Sequence, residues 1–220
     1  MVPTGFVLGF LNMVKEPHYG INSGEVPFAQ LISNEDTLRG LLEASCISGP
    51  DATTAEMLQA WVEQRKFIAD TITKSGKVLD YGCANGFLLR CLQEWSTHEL
   101  EPWGIDVNED ALQQAKKLFA NSPHHFMTPQ EFVDGEKANT KFEYVYWNVW
   151  DNYSFSEGGI TLLNKLIEVT ETGGRTALGF YDTKDKNIEK VTTLISELGL
   201  ESRIVENPHG EEVILYIDKT

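Results

Sequence analysis

Short apolar runs alternate with segments of helical periodicity from residue 77 onward. The strand-like runs are KVLDY (77–81), WGIDV (103–107), HHFMT (124–128) and FEYVYWNVW (142–150), and helix-like segments at 86–95 and 109–120 separate the first three. Strands and helices that alternate in this way form a parallel sheet flanked by helices. The pattern therefore predicts an α/β fold.

The last part of the pattern is different. Two helical segments, around 160–167 and 188–198, enclose a buried strand in GGRTALGFYD (173–182), and Gly199 is expected to end the second helix. The final apolar runs, LESRIVEN and EEVILYIDK, are separated only by the turn PHG, which leaves no room for a crossover helix. We therefore expect the sheet to finish in an antiparallel C-terminal hairpin.

The first 50 residues contain short apolar runs interrupted by glycines and prolines. We interpret residues 1–52 as an N-terminal cap or lid and residues 53–220 as the main domain. A helix is predicted over 53–72, because Thr53 and Glu56 can form a capping box and Trp61, Ile68 and Ile72 lie near one helix face.

Composition narrows the range of partners. The 220-residue chain fits one domain with an appendage, and it carries a formal net charge of -15 and a sequence pI near 4.7. Such a surface repels phosphate backbones, and no basic patch is visible in the sequence. A small molecule or a protein is the expected partner, and no nucleic acid is expected.

Cysteine usage and the N-terminus bear on the compartment. The three cysteines, Cys46, Cys83 and Cys91, form no CxxC pair, which favours a reducing environment. The apolar start MVPTGFVLGFLNM lacks a basic flank and is too short for a membrane span. We therefore expect a cytoplasmic protein with no membrane partner.

The stretch VLDYGCANGFLL (78–89) joins a predicted strand to a predicted helix through a turn of small residues. A phosphate-binding loop would need Lys after Gly86, and a dinucleotide fingerprint would need Gly or Ala where Phe87 stands. The remaining pattern, Asp-x-Gly-x-Ala-x-Gly, lets the backbone approach a ligand closely. Asp80 at its start favours a ligand with an ammonium or sulfonium group, because unlike charges attract strongly where water is scarce.

Asp106 provides a second anchor at the end of WGIDV. A carboxylate at the carboxyl end of a strand, beside the first turn, can accept both hydrogen bonds of a ribose diol. The two anchors together indicate an adenosine with a cationic tail.

The motifs VLDYGCANGFLL, WGIDVNEDALQQAKKL and FEYVYWNVWDN resemble the successive motifs of class I (Rossmann-like) S-adenosylmethionine-dependent methyltransferases. The resemblance covers roughly residues 60 to 218. It implies a three-layer α/β/α sandwich with a seven-stranded, mostly parallel sheet, S-adenosylmethionine as cofactor and S-adenosylhomocysteine as product. The sequence departs from the family at Ala84, where many members have Gly.

The resemblance also implies roles for individual residues. The turn, with Asp80, Gly82, Cys83, Ala84, Asn85 and Gly86, would line the methionine part of the cofactor; a branched side chain at Gly86 is expected to intrude where the ligand's tail meets the helix start. Asp106 would bind the ribose and Val107 the adenine face. The adenine edge would meet Met127, Thr128 or Gln130, of which Thr128 is our choice.

Asn148 stands where many members of the family place a residue near the transferring methyl group. Asn148 and Asp151 are our candidate catalytic residues, although both types also favour loops for local hydrogen-bonding reasons. Neighbouring aromatic residues could form a cage for the substrate or simply pack the strand: Tyr144, Tyr146, Trp147, Trp150 and Tyr153.

The histidines give weaker signals. His18, beside Tyr19, could be a base, but we favour a structural or solvent-facing role for it. His124 and His125 are adjacent, so on a strand they would point to opposite faces. We expect no metal site.

The acceptor is less well defined by the sequence. Amino methyltransferases that act on DNA bases carry a [DN]PP[YFW] motif after the fourth strand, whereas this chain has Asn148, Val149, Trp150 and Asp151. We favour an O, N or C nucleophile on a small molecule. The alternatives are a protein methyltransferase and a protein that binds the cofactor without transferring its methyl group; a nicotinamide-dependent oxidoreductase is disfavoured by the missing third glycine.

Overall fold

The structure is a computed structural model that describes residues 26–45, 51–149, 157–181 and 187–220. Its strands are β1 (Gly76–Tyr81), β2 (Leu100–Ile105), β3 (Phe126–Met127), β4 (Phe142–Asn148), β5 (Thr170–Phe180), β6 (Arg203–Glu206) and β7 (Val213–Asp218). Its α-helices are α1 (Phe28–Ser33), α2 (Glu35–Ala44), α3 (Thr54–Arg65), α4 (Phe87–Trp95), α5 (Glu109–Leu118), α6 (Pro129–Asp134), α7 (Glu157–Val169) and α8 (Asn187–Glu197).

The strands form one seven-stranded sheet in the order β3-β2-β1-β4-β5-β7-β6. β1 pairs in parallel with both β2 and β4, and β7 runs antiparallel to β5 and β6. The predicted parallel sheet with an antiparallel C-terminal hairpin is therefore confirmed. Since the chain crosses from one side of β1 to the other, the carboxyl ends of β1, β2 and β4 border a crevice of the kind in which α/β proteins bind ligands.

Helices cover both faces of the sheet, which gives the three layers that were predicted. One hydrophobic cluster includes buried residues of α1 to α5, and a second, on the opposite face, includes those of α6, α7 and α8. Alternate residues of a strand enter different clusters, as the period of two requires: Tyr144 and Tyr146 pack in the first, and Val145 and Trp147 in the second.

The described part of the predicted cap consists of α1 and α2. Their apolar residues, among them Phe28, Leu38 and Leu42, join the same cluster as α3 and β1. The candidates His18 and Tyr19 lie outside the described residues.

The helix predicted over 53–72 has two parts. The capping box of Thr53 and Glu56 is present, and the α-helix runs to Arg65, where a 3₁₀ helix (Lys66–Thr71) replaces it. Both parts are hydrogen-bonded to the C-terminal half of the chain. The side-chain amide of Asn207, in the turn between β6 and β7, donates to the Glu63 carbonyl at 2.8 Å. Arg175, on β5, donates to the Thr71 carbonyl at 2.7 Å. The helix is thus fixed to the C-terminal half of the chain.

The strand predicted in HHFMT is present only at Phe126–Met127, and the prediction was wrong for His124, His125 and Thr128, the last of which caps α6. His124 and His125 lie in a 3₁₀ turn that begins at Pro123, whose fixed φ and missing N–H suit the start of a helical turn. The His125 ring stacks on Trp103 at 3.8 Å. In the described ranges there is no group of three or more potential metal-ligating side chains, and no described helix is long and apolar enough to cross a bilayer.

Candidate functional site

A cavity of about 160 Å³ lies at the carboxyl ends of β1, β4 and β5, where α3 and the end of the cap approach the sheet. The turn after β1 provides one wall through Asp80, Gly82, Cys83 and Ala84. The other described walls include Ser45, Trp61, Arg65, Tyr146, Asn148 and Tyr181.

The turn after β1 is shaped by residues with positive φ. Gly82 has φ 89°, Ala84 has φ 47° and Gly86 has φ 76°. A Cβ added to Gly82 would find no protein atom within 4 Å, so this glycine leaves open space beside the cavity. Ala84 adopts a backbone conformation that glycine accepts more readily, at a cost of about 1 kcal/mol or more for an L-residue.

Asp106 follows β2 and contacts the same turn. One of its carboxylate oxygens accepts a hydrogen bond from the Ala84 N–H at 2.7 Å, and the other accepts from the Asn108 N–H at 2.8 Å. The side chain is half-buried, and each carboxylate oxygen can accept a further hydrogen bond. The residue is therefore held in place while it remains able to bind a diol.

Asp80 is buried beneath the turn, with 3% of its surface exposed. Burial, reinforced by the charge of Asp106 and partly offset by Arg65, raises the pKa of the Asp80 carboxyl to about 8. The group is largely protonated at neutral pH in the absence of a ligand. A cation in the cavity would favour its ionised form.

Gly86 points away from the cavity. A Cβ at this position would approach the Phe119 ring to 3.1 Å and the Ala115 methyl to 3.2 Å, both in the layer formed by α5. The prediction that a side chain at Gly86 would meet the ligand's tail was wrong, because its Cβ would point toward α5 and away from the cavity. Glycine is required because the start of α4 packs closely against α5.

Asn85 is fully buried, and its amide is used within the protein. Its Nδ2 donates to the Leu41 carbonyl at 2.9 Å, and its Oδ1 accepts from the Ser45 hydroxyl at 2.8 Å and the Phe87 N–H at 3.2 Å. These bonds fasten the end of α2 to the turn. Any contact of Asn85 with a ligand would therefore come from its backbone.

The residues assigned to the adenine lie on the Asp106 side and do not line the cavity. The Val107 side chain is 81% exposed, as expected for an open face that a ring could cover. Thr128 caps α6: its hydroxyl accepts from the Glu131 N–H at 3.2 Å and donates to the Glu131 carboxylate at 3.0 Å. Met127 is buried and Gln130 is exposed.

Asn148 ends β4 and lines the cavity. Its Oδ1 is buried, and no described group donates a hydrogen bond to it. Buried acceptors are nearly always paired, so this oxygen suits a ligand that carries an N–H or O–H. Asp151, Trp150 and Tyr153 lie outside the described residues.

The described aromatic candidates have different surroundings. The Tyr144 hydroxyl bonds to the Thr71 hydroxyl at 2.6 Å, and Trp147 belongs to the cluster on the opposite face of the sheet. Tyr146 lines the cavity, and its hydroxyl bonds to Tyr181. The Tyr146 ring can lie here because residue 179 is a glycine: a Cβ on Gly179 would collide with the Tyr146 hydroxyl.

Sequence reasoning missed Arg65, Tyr181 and Ser45. Arg65 is 6% exposed, and its guanidinium carbon lies 3.6 Å from the centre of the Tyr181 ring and 5.2 Å from that of Trp61. One signal was present: Arg65 stands four residues after Trp61, on the buried face of the predicted helix. Tyr181 and Ser45 had no comparable signal.

A family model described as a methyltransferase domain matches residues 72–201, more than half of the chain. No curated protein matches the sequence.

Solved structures with the same fold share little sequence with this chain. A TehB-like SAM-dependent methyltransferase from Corynebacterium glutamicum has a TM-score of 0.56 at 14% identity, over 84% of this chain and 97% of that one. A methyltransferase from Pyrococcus furiosus has a TM-score of 0.58 at 13% identity, over 86% and 95%. A SAM-dependent methyltransferase from Aquifex aeolicus has a TM-score of 0.55 at 14% identity, over 81% and 97%.

At these identities the structural similarities show the fold alone, while the family model shows membership. The chain belongs to the methyltransferase-domain family and has the class I Rossmann-like fold, for which S-adenosylmethionine is the cofactor.

Proposed function

We propose that the protein transfers a methyl group from S-adenosylmethionine to an O, N or C nucleophile of a small-molecule acceptor in the cytoplasm. Residues 53–220 form the catalytic domain in this proposal, and residues 1–52 form a cap that contributes to acceptor specificity. The main supporting observation is that the unpaired Asn148 Oδ1 and the open side of Gly82 border the same cavity.

The residues around the cavity fit the cofactor. Gly82 and Ala84 leave room for its amino-acid end, and Asp80 can compensate a positive charge there. Asp106 can accept the ribose hydroxyls, with Val107 and Thr128 on the adenine side. Cys83, Asn85 and Gly86 maintain the turn by packing and by hydrogen bonds.

When bound, S-adenosylmethionine supplies an electrophilic methyl group on a sulfonium that is already a good leaving group. The protein's contribution is then to align the acceptor and exclude water, for which effective molarities reach about 10⁵ to 10⁸ M. Asn148 would orient the acceptor by accepting its N–H or O–H. Asp151 is proposed as a second group near the acceptor, which matters when the nucleophile must lose a proton.

The lining of the cavity favours a small acceptor over a protein chain. Its described walls include the buried side chains of Trp61 and Tyr146 and the unpaired amide oxygen of Asn148. Such a lining suits a compact acceptor with an apolar body and one N–H or O–H group. A protein methyltransferase would have to admit a single extended side chain, and it is the second alternative.

Calorimetric titration with S-adenosylmethionine, S-adenosylhomocysteine and NADH tests the cofactor. We expect micromolar binding of the two adenosyl ligands and none of NADH. Binding of NADH alone would overturn the proposal in favour of an oxidoreductase.

Transfer of a labelled methyl group then tests the reaction. Small acceptors and a protein extract are incubated separately with the wild type, Asn148→Ala and the exposed control Asn139→Ala. Label in small molecules that is lost only in Asn148→Ala supports the proposal. Label only in protein, or cofactor binding with no transfer to any acceptor, would replace it with one of the two alternatives.

A further inference from the structure

Two tyrosine hydroxyls lie together in the wall of the cavity. Tyr146, on β4, is 1% exposed, and its hydroxyl is hydrogen-bonded to that of Tyr181, which directly follows β5. Both residues line the cavity together with Asn148. The pair of hydroxyls is therefore part of the surface that an acceptor would meet.

The pair carries one proton more than its own hydrogen bond uses. Burial raises the pKa of both the Tyr146 and the Tyr181 hydroxyl, so both are protonated at neutral pH. One O–H donates within the pair, and the other O–H has no acceptor among the described residues. Buried donors are nearly always paired, so this second proton suits a ligand atom with a free lone pair.

The Tyr146 hydroxyl lies beside Asn148. The two residues are two positions apart on β4, so their side chains are on the same face of the sheet. Gly179 is the register partner of Asn148 on β5, and a Cβ on Gly179 would collide with the Tyr146 hydroxyl. Neighbouring strands are about 4.8 Å apart, so the hydroxyl lies approximately one strand spacing from Asn148.

The two neighbouring groups have opposite hydrogen-bonding character. The Asn148 Oδ1 is a buried acceptor to which no described group donates, whereas the tyrosine pair has a spare donor. Since the tyrosine pair does not donate to this oxygen, a gap remains between them. A ligand that carries a donor and an acceptor at adjacent positions can satisfy both groups at once.

We propose that the methyl acceptor carries an uncharged N–H or O–H next to a second nitrogen or oxygen with a free lone pair, and that the hydroxyl pair of Tyr146 and Tyr181 selects for this second atom. The inference rests on the proposed function. Asn148 accepts the hydrogen of the reacting group, and the tyrosine pair donates to the atom beside it. An acceptor with a single polar group would leave the spare tyrosine proton unpaired in the cavity, which weakens its binding.

The reacting group has to be uncharged for two reasons. A protonated amine has no lone pair with which to attack the methyl group, and a group that has already lost its proton has no hydrogen for Asn148 to accept. The amide oxygen of Asn148 also differs from a carboxylate in that it brings no full negative charge to stabilise a cation.

Two pairs of isomers test whether the adjacent position matters. 2-Pyridone and 4-pyridone each carry one N–H and one C=O, at neighbouring ring positions only in 2-pyridone. Catechol and hydroquinone provide the same contrast for two hydroxyl groups. Calorimetry measures their binding to protein saturated with S-adenosylhomocysteine, which has no methyl group to transfer.

The proteins compared are the wild type, Asn148→Ala, Tyr146→Phe/Tyr181→Phe and the control Tyr144→Phe/Tyr216→Phe. The control also removes two tyrosine hydroxyls, and it matches the surroundings of the pair. The Tyr144 hydroxyl is buried and bonded to Thr71, and an arginine covers the Tyr216 ring as Arg65 covers that of Tyr181. Neither Tyr144 nor Tyr216 lines the cavity.

We expect the wild type to bind the isomer with adjacent groups about tenfold or more tightly in at least one pair, because the other isomer leaves a buried protein group unpaired. A preference between the pyridones assigns the reacting atom to nitrogen, and one between the diphenols assigns it to oxygen. Tyr146→Phe/Tyr181→Phe and Asn148→Ala should lose the preference, and the control should retain it.

An absence of this preference in both pairs for the wild type, including no binding of any of the four ligands, would overturn the proposal whether or not the variants fold. A preference that persists in folded Tyr146→Phe/Tyr181→Phe would overturn it as well. If the wild type failed to bind S-adenosylhomocysteine, the proposed function would fail. The same four ligands titrated into the free protein would then still decide whether the tyrosine pair selects adjacent groups.

Discussion

The two ends of the candidate site are constructed in different ways. At one end, Asp106 is held by backbone N–H groups of Ala84 and Asn108, within two short stretches of chain that lie side by side through the pairing of β1 and β2. At the other end, Arg65, Asn148 and Tyr181 come from distant parts of the chain and line one cavity, where Arg65 stacks on Tyr181. The first end depends on local backbone geometry, and the second on packing.

This difference suggests a division of roles. A backbone turn tolerates few substitutions, which suits recognition of a ligand that all members of a family share. Side chains contributed by separate elements can change one at a time without altering the sheet. We therefore expect the Asp106 end to bind the ribose of the cofactor, and the opposite end, which includes Asn148, to contact the acceptor.

The largest expected effect is that of Gly86→Val, which acts on the fold beneath the turn. A branched side chain at φ 76° would collide with Phe119 and Ala115, so the free energy of unfolding should fall by about 3 kcal/mol. Chemical denaturation measures the loss. If stability were unchanged while ligand binding disappeared, the side chain would be entering the cavity after all.

Asp106→Ala tests the backbone end directly. Loss of two charged hydrogen bonds to the ribose should weaken binding of S-adenosylhomocysteine by about tenfold or more. Calorimetry is the measurement, and the exposed Asp70→Ala serves as control. Equal affinity in the two variants would remove Asp106 from the site.

Asp80 links the two ends through its protonation. Its pKa of about 8 in the free protein should fall when a cationic ligand binds, so binding releases a proton below pH 8. Affinity for S-adenosylmethionine should then rise as the pH increases from 6 to 8, by at most about tenfold per pH unit, and level off above that. Calorimetry in buffers with different ionisation enthalpies measures the number of protons released on binding. This release should be absent in Asp80→Asn.

The same group affects stability with a defined sign. Its folded pKa of about 8 exceeds the ordinary value of 3.8, so the folded state binds the extra proton between these values and its stability falls as the pH rises from 4 to 8. Asp80→Asn should remove this decline. The difference in unfolding free energy between the wild type and Asp80→Asn isolates this group from the others that titrate. If that difference stayed constant from pH 4 to pH 8, the raised pKa of Asp80 would be contradicted.

The smallest effect is expected for Ala84→Gly. Relief of the positive φ should exceed the entropy that glycine adds to the unfolded chain, so that stability rises by about 0.5 kcal/mol. Ala120→Gly, at an exposed position without positive φ, should be destabilising. A loss of stability in both variants would show that the turn is not strained at Ala84.

The contrast between local backbone geometry at one end of the site and tertiary packing at the other also explains which features could be predicted from the sequence. Asp80, Gly82 and Asp106 occur in contiguous motifs whose spacing reflects local chain geometry, so they could be recognised before the fold was known. The C-terminal hairpin was predictable because the turn PHG is too short for any other connection. In both cases the information is confined to a few neighbouring residues.

The rest depended on tertiary packing. The direction of a Cβ at Gly86 follows from how α5 lies against α4, and the use of Asn85 by Leu41 and Ser45 follows from the position of the cap. The burial of Arg65 could be inferred from its spacing from Trp61, but its contact with the Tyr181 ring could not. Pro123 indicated a helical turn at His124 and His125, but the apolar residues that follow led to the prediction of a strand.

The hydrogen bond from Asn207 to the Glu63 carbonyl has a consequence for synthesis on the ribosome. It joins residues 144 positions apart, and at about 5 to 20 residues per second its donor is made roughly seven to thirty seconds after its acceptor. During that interval the helix that carries Arg65 has emerged without the contact that fastens it to the hairpin. A nascent chain can therefore assemble its glycine turn early, but the wall opposite that turn reaches its final position only after the hairpin has been made.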